Sequence, residues 1–384
     1  RDAVFSRQRY WGEPFPIYYE NDIPELVPDD VQVTLPPVEK YLPTADGDPP
    51  LANANKEDWN VSFGDRMEYN TMPGWAGSSW YFLRYMDPTN ETSFCSREKS
   101  DYWNQVDLYI GGAEHGTGHL LYSRFWTKFL YDRGWIGFDE PFAKMINQGM
   151  ILGRSSFVYR IKDSNTFVTF EKQGDHEVQK LYADISMVDG DVLDTEAFKG
   201  WREEYKDAEF ILNDQGKYIC GSEVEKMSKS KYNVQTPDDL CVQFGADTLR
   251  CYEMFLGPLE QAKPWDTKGI SGVHGFLRKA TRLYLNGISG EPATQGELKS
   301  LHKTIKKISG DLERYSFNTV VSASMICVNE LTEQKCDKRE ILEPLAILIS
   351  PYAPHLAEEL WHMLGHNTSV VDQPWPQHNE AHLK

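Results

Sequence analysis

The residues best suited to chemistry are a run of lysines and serines and a pair of histidines. EKMSKSKYN, residues 225–233, sets Lys226 and Lys229 against Ser228 and Ser230 around Met227, and Lys231 follows. Lysine is a compact charge on a flexible stem, able to follow a phosphate as its charge grows. A serine hydroxyl donates or accepts in little space. The pattern suits a polyphosphate, with stabilisation concentrated on the transition state. It lacks the glycines of a Walker-type loop. The competing reading is a solvated charge run on a surface loop. Upstream, GGAEHGTGH (111–119) places His115 and His119 four apart, on one helix face. Gly111 and Gly112 let backbone approach a ligand closely. Such a pair could bind zinc. But Glu114 precedes His115, so this is not H-E-x-x-H, and no third ligand is evident. We assign no metal site, and packed or surface histidines are the other alternative.

These groups need elements to hold them. VDLYIGG (106–112) reads as a buried strand ended by glycines. In the stretch that follows, Leu120, Leu121, Phe125, Lys128, Phe129 and Tyr131 mostly keep helical spacing, and Gly134 is a natural stop. AKMINQGMIL (143–152) reads as another buried strand. Strand, turn, helix, strand is a βαβ unit and predicts parallel pairing. Ligands gather at the carboxyl ends of such strands. SSWYFLRYM (78–86) predicts a short helix capped by Ser78 or Ser79. TPDDL (236–240) marks a helix start, with Thr236 as cap, proline at its first position and acids in its first turn. The lysine–serine loop therefore precedes a helix N-terminus, where backbone N–H groups favour anions.

Residues 1–74 are proline-rich and predict strands and loops. Residues 153–222 alternate and then turn acidic, as a small α+β insertion would. From about 269 the apolar residues recur every three or four positions, which predicts a bundle of about four helices. Pro351 and Pro354 divide or kink the last one. The 384 residues carry a net charge of −18 and are 40% hydrophobic, enough for two or three cored domains. No apolar run could span a bilayer. The six cysteines form no C-x-x-C pair, which argues against a disulfide framework and fits a reducing cytoplasm. An acidic chain is a poor general nucleic-acid coat, although a local basic face remains possible.

KMSKS is the signature loop of class I aminoacyl-tRNA synthetases, and it sits here after a βαβ unit and before a helical bundle. FSRQRYWGEPFPI (5–17), MPGWAGSSWYFLRYMDP (72–88), residues 106–134, QGMIL (148–152), GADTLR (245–250) and GPLEQAKPW (257–265) most resemble the bacterial-type leucyl members. The resemblance covers essentially the whole chain. It implies an α/β fold: the second half of a Rossmann-like parallel-sheet catalytic domain (1–152), a family-specific insertion (153–222), the signature loop with its following helices (223–268), and a helical anticodon-binding domain (269–384).

It also implies ATP-dependent formation of leucyl-adenylate and transfer of leucine to tRNA(Leu), with Mg²⁺ accompanying the phosphates. Lys226 and Lys229 would hold the leaving pyrophosphate, within an ATP site that includes Met227, Ser228, Ser230, Gly111, Gly112, Glu114, His115 and His119. Trp75, Ser78, Ser79 and Tyr81 would line the amino-acid pocket with His115 and His119, while Trp80 and Phe82 read as core. Arg278, Lys279, Arg282, Lys299, Lys303, Lys306 and Lys307 would track tRNA phosphates; the competing reading is a solvated helix face. We expect a cytoplasmic monomer without membrane contact.

Two signals are missing: the H-I-G-H motif and an editing domain, which would precede residue 1. The segment alone is therefore expected to be inactive or nearly so. The alternatives are an isoleucyl or valyl enzyme, or a non-catalytic RNA-binding module derived from a synthetase. Tyr232 also departs from the pattern, because many class I enzymes have glycine there.

Overall fold

The computed structural model describes residues 4–61 and 63–383. The chain forms two compact units, Arg1–Asn147 and Gln148–Lys384.

In the first unit, β1 (Ile17–Glu20) and β2 (Ile23–Leu26) form a hairpin. Asn21 and Asp22 make its turn, both left-handed, with φ of 55° and 63°. This is the turn that matches the twist of the strands. β3 (Arg66–Met67) pairs with the other edge of β1, and Val27, Leu51, Trp59 and Met67 form a small core beneath. Three short helices follow: α1 (Trp75–Ser78), α2 (Tyr81–Met86) and α3 (Arg97–Trp103). Neither Ser78 nor Ser79 caps α2. Trp80 stands at that position, with no side-chain cap.

The βαβ unit is present as β4 (Tyr109–Ile110), α4 (His119–Asp132) and β5 (Met145–Ile146), with β4 and β5 parallel. Gly134, at φ 74°, ends α4. Its N–H donates to Tyr131 and that of Trp135 to Leu130, the double bond of a Schellman stop. Three expectations need correction. Residues 143–152 are not one strand, because β5 ends at Ile146 and a new strand begins at Ile151 in the second unit. β4 is not fully buried, since Ile110 is 48% exposed. The apolar face predicted for α4 is largely the exposed one: Leu121, Phe125, Phe129 and Tyr131 face solvent, while Ser123, Thr127 and Leu130 are buried. Small hydroxyls suit that inner face because the main chain satisfies them. Ser123 Oγ lies 2.8 Å from the carbonyls of His119 and Ser79, between which its one proton is shared, and Thr127 Oγ1 donates to that of Ser123 at 2.8 Å.

The second unit is built on β6 (Ile151–Ile161). β7 (Thr166–Val168), β8 (Val178–Ala183), β12 (Gly221–Lys226) and β13 (Lys263–Pro264) all pair with it, and the sheet is mixed. The hairpin of β9 (Val188–Asp189) and β10 (Val192–Leu193) leads into α5 (Thr195–Trp201). Asp194 caps α5 by accepting from the N–H groups of Glu196 and Ala197. β11 (Glu209–Ile211) runs parallel to β7, and β12 (Gly221–Lys226) antiparallel to β6. Phe167, Phe198, Tyr205 and Tyr218 fill the core here. Positions 153 and 222, the limits expected for an insertion, both lie inside strands, β6 and β12.

Beyond β12 come α6 (Pro237–Phe244), α7 (Ala246–Phe255) and β13 (Lys263–Pro264). Then follow α8 (Thr267–Leu285), α9 (Gln295–Glu313), α10 (Phe317–Glu333), α11 (Arg339–Ile349) and α12 (Pro354–Met363). The predicted last helix is thus two, with Pro354 opening the second. Thr294 and Glu297 form a capping box on α9. One apolar core, including Leu249, Ile270, Ile305, Val328, Leu345 and Leu360, joins α7 to the bundle. Among the described residues, no helix is long and apolar enough to cross a membrane.

Candidate functional site

The lysine–serine loop leaves β12 at Lys226, whose strand partner is Leu152. Met227 is half-buried and packs on the helical core. Ser228 starts a single 3-10 turn, Lys229–Lys231, and its hydroxyl lies 3.1 Å from that of Ser230. Lys226 and Lys229 are exposed and form no ion pair among the described residues. Lys231 differs: it is half-buried and bonded to Glu225. That pairing holds the Glu225 carboxyl below, and the Lys231 ammonium above, the ordinary value. Three lysines in sequence thus become two exposed charges without ion pairs among the described residues and one paired strut.

Asn233 closes the neck of the loop. Its side chain is 1% exposed. The carbonyl accepts from Ser228 N–H at 2.9 Å, and the amide donates to Ser155 Oγ at 2.9 Å. Gly153 makes room for this, because a Cβ there would stand 2.7 Å from the Asn233 main-chain carbonyl oxygen and 2.9 Å from Met227 Cγ. α6 begins as expected at Pro237, but the Thr236 hydroxyl donates to the Asp239 carboxylate and makes no bond to a backbone N–H. Tyr232, in the place of the common glycine, is left-handed at φ 53°.

In the first unit, the turn after β4 gathers rings. His119 lies 5.9 Å from Tyr81, stacked at 28°, and 6.3 Å from both Trp75 and His115. His115 stands edge-on to Trp75 at 5.6 Å. Tyr109, which the sequence reading did not select, ties the group together. Its hydroxyl is 2.6 Å from His119 Nε2 and 2.8 Å from Tyr81 Oη. Burial, then the neighbouring His115, pushes His119 below its ordinary value. Burial and the bond to Tyr81 push Tyr109 up. At neutral pH this is an uncharged hydrogen-bonded chain of imidazole and phenols beside an indole. It can orient a polar group against an apolar wall.

Gly112 is buried, and the carboxylate of exposed Glu114 folds back over it, 2.0 Å from where a Cβ would stand. Gly111 meets nothing within 4 Å at that position, and its N–H donates to Ile146. Of the other predicted pocket residues, Trp75 is 42% exposed and Ser78 is exposed. Ser79 is fully enclosed, and its hydroxyl has no partner among the described residues. Phe82 is in the core and Trp80 packs on it. Among the described residues, no three His, Cys, Asp or Glu side chains are arranged to hold a metal.

The seven basic residues of the helical domain divide by partner. Lys306 bonds Glu380 at 2.6 Å, Lys307 bonds buried Asp311 at 2.5 Å, and Lys279 bonds Asn329 at 2.7 Å. Arg278, Arg282, Lys299 and Lys303 are exposed and form no ion pair among the described residues. α8 and α9, which carry all seven, both pack on α10.

Comparison with known proteins bears on both groups. The family described as the anticodon-binding domain of tRNA ligase matches residues 297–384. The chain is 58% identical over its whole length to leucine–tRNA ligase of Flavobacterium johnsoniae, covering 42% of that protein. It is 56% identical to the enzyme of Bacteroides thetaiotaomicron, covering 43%, and 55% identical to that of Christiangramia forsetii, covering 44%. Among solved structures it is similar to Agrobacterium radiobacter K84 agnB2 LeuRS in a ternary complex with tRNA and LeuAMS. That match has a TM-score of 0.70 and 28% identity, over 99% of this chain and 43% of the other. The chain thus spans less than half the length of these relatives.

Proposed function

Because the chain belongs to the leucine–tRNA ligase family, we propose that it supplies the pyrophosphate-handling loop, the imidazole–phenol cluster and the helical tRNA-binding domain of an enzyme that activates leucine with ATP and transfers it to tRNA(Leu). In the first step a leucine carboxylate oxygen attacks the α-phosphorus. The bond from that phosphorus to the bridging oxygen breaks, and pyrophosphate leaves. In the second step a terminal ribose hydroxyl attacks the leucyl carbonyl and AMP leaves.

The observation that carries this reading is the state of Lys226 and Lys229: exposed and without an ion pair among the described residues, on a loop whose neck is closed by buried Asn233. Such charges can meet a developing pyrophosphate without first breaking an internal bond. His119 and Tyr109, with Trp75 and Tyr81, are assigned to leucine, and Gly111, Gly112, Glu114 and His115 to the nucleotide side. Ser228, Ser230 and the Met227 main chain are assigned to ATP. Mg²⁺ is treated as part of the nucleotide substrate, held by its phosphates. The exposed cations of α8 and α9 are assigned to tRNA phosphates. We assign the protein to the cytoplasm, in keeping with the free thiols of its described cysteines.

ATP–pyrophosphate exchange by the full-length protein with each aliphatic amino acid tests the proposal. Leucine should support the fastest exchange. A higher kcat/KM with isoleucine or valine would overturn the substrate assignment, and no exchange with any of the three would leave the RNA-binding alternative.

A further inference from the structure

Tyr232 ends the 3-10 turn that carries Lys229, with φ 53° and ψ 31°. A side chain with a Cβ rarely adopts that conformation, so the surroundings must hold it there. Three contacts do, all from the inserted module. The Tyr232 ring stands perpendicular to that of Trp201, 4.9 Å away. Its hydroxyl accepts from Arg202 Nη2 at 2.6 Å, and its carbonyl accepts from Ile185 N–H at 3.1 Å. Arg202 is itself placed by its guanidinium, 4.4 Å over the Trp201 ring, and by Glu204 at 3.5 Å. Trp201 in turn packs on Phe198 and Tyr205 of the module's core. The grip is therefore rooted in buried structure and reaches the loop only at its exit. Lys226 and Lys229 lie outside it.

We infer that Trp201 and Arg202 are positioning residues for the signature loop. They act through Tyr232, so the inserted module sets where Lys226 and Lys229 stand as pyrophosphate leaves. The inference rests on reading this loop as the pyrophosphate site. A glycine at 232 would adopt the same backbone without strain and keep the bond from Ile185 N–H, but would give Trp201 and Arg202 nothing to hold. The tyrosine exchanges local ease for a tether.

The test uses the full-length enzyme and two readouts: amide hydrogen exchange of peptides spanning 226–236, and leucine-dependent ATP–pyrophosphate exchange. Arg202→Ala and Tyr232→Phe remove opposite ends of one hydrogen bond. Each should speed amide exchange in the loop, with β6 amides unchanged. Each should lower kcat about three- to tenfold, the range one hydrogen bond supports, and leave KM for leucine unmoved. The double variant should be no worse than the stronger single one, and Arg202→Lys should recover part of the loss. Unchanged loop exchange and kcat in both single variants, or losses that multiply in the double variant, overturn the inference. If the wild-type enzyme shows no leucine-dependent exchange, the functional reading falls and the hydrogen-exchange readout alone decides the tether.

Discussion

At the lysine–serine loop the candidate groups are long, charged and exposed, and at the histidine turn His119 and Tyr109 are half-buried, neutral and set among rings. The loop has two cations without ion pairs among the described residues, on a segment held by Asn233 at the neck, Tyr232 at the exit, the Lys231–Glu225 pair and Met227 against the helical core. The histidine turn has its groups fixed individually, each ring touching the next. The difference matches the ligands assigned to them. A polyphosphate whose charge shifts during reaction suits mobile point charges. A small amino acid that must be held in one pose suits a rigid, partly dry wall, where hydrogen bonds to neutral groups cost little to preorganise. If this contrast holds, substitutions at the loop should change rate, and substitutions at the turn should change leucine affinity.

The largest expected effect is at Lys229. Lys229→Ala in the full-length enzyme should lower the exchange rate about 10²-fold or more, with thermal stability nearly unchanged because the side chain has no ion pair among the described residues. Lys231→Ala should do the reverse. It removes the partner of Glu225, so melting temperature should fall while exchange is much less affected. Equal rate losses in the two variants would erase the distinction between the exposed charges and the strut.

Next is Tyr109→Phe, which breaks the bonds to His119 and Tyr81 together. Two neutral hydrogen bonds predict a loss of about tenfold or somewhat more, seen in KM for leucine and hardly in kcat at saturation. A fall confined to kcat would place Tyr109 with the loop.

The pH dependence follows from His119. Its value is depressed below 6.5, so the folded state binds fewer protons here than the unfolded chain. The stabilisation from this group is complete above 6.5 and is lost as pH falls through the depressed value. Leucine binding should follow the same course, because protonation replaces the neutral imidazole that meets the Tyr109 hydroxyl. The acid limb of kcat/KM for leucine should therefore lie below 6.5 and disappear in His119→Gln. A limb above 6.5 in the wild-type enzyme would mean that another group controls it.

The same contrast explains what was legible in the sequence. KMSKS is contiguous, so its chemistry can be read locally. So can the start of α6, where Pro237 and two acids act within one turn. The inner face of α4 could not, because Ser123 and Thr127 satisfy their hydroxyls on main-chain carbonyls and so pack where the sequence pattern asks for apolar residues. Tyr109 looked like one more apolar strand residue. Its role depends on rings from positions 75, 81 and 119, and no local spacing brings those together. Tyr232 is the extreme case: its conformation is explained by Trp201 and Arg202, some thirty positions upstream in another element.

The smallest expected effects concern the helical domain, where the same distinction between free and engaged cations recurs. Seven basic residues looked equivalent in sequence, but Lys307 is bonded to Asp311, a carboxylate that also accepts from Arg314 and from the Thr319 hydroxyl. Asp311 is 1% exposed, and these bonds hold its carboxyl below the ordinary value despite burial. Lys307 therefore serves a buried anion before it can serve a phosphate. Lys303, on the same helix, has no such duty among the described residues. With the full-length enzyme and tRNA(Leu), Lys303→Ala should weaken binding a few-fold and reduce the slope of log affinity against log salt by about one. Lys307→Ala should leave that slope nearly unchanged and lower the melting temperature instead, since it strips a partner from a buried charge. A salt slope reduced equally by both would show that the Asp311 pairing yields to the phosphate when tRNA binds.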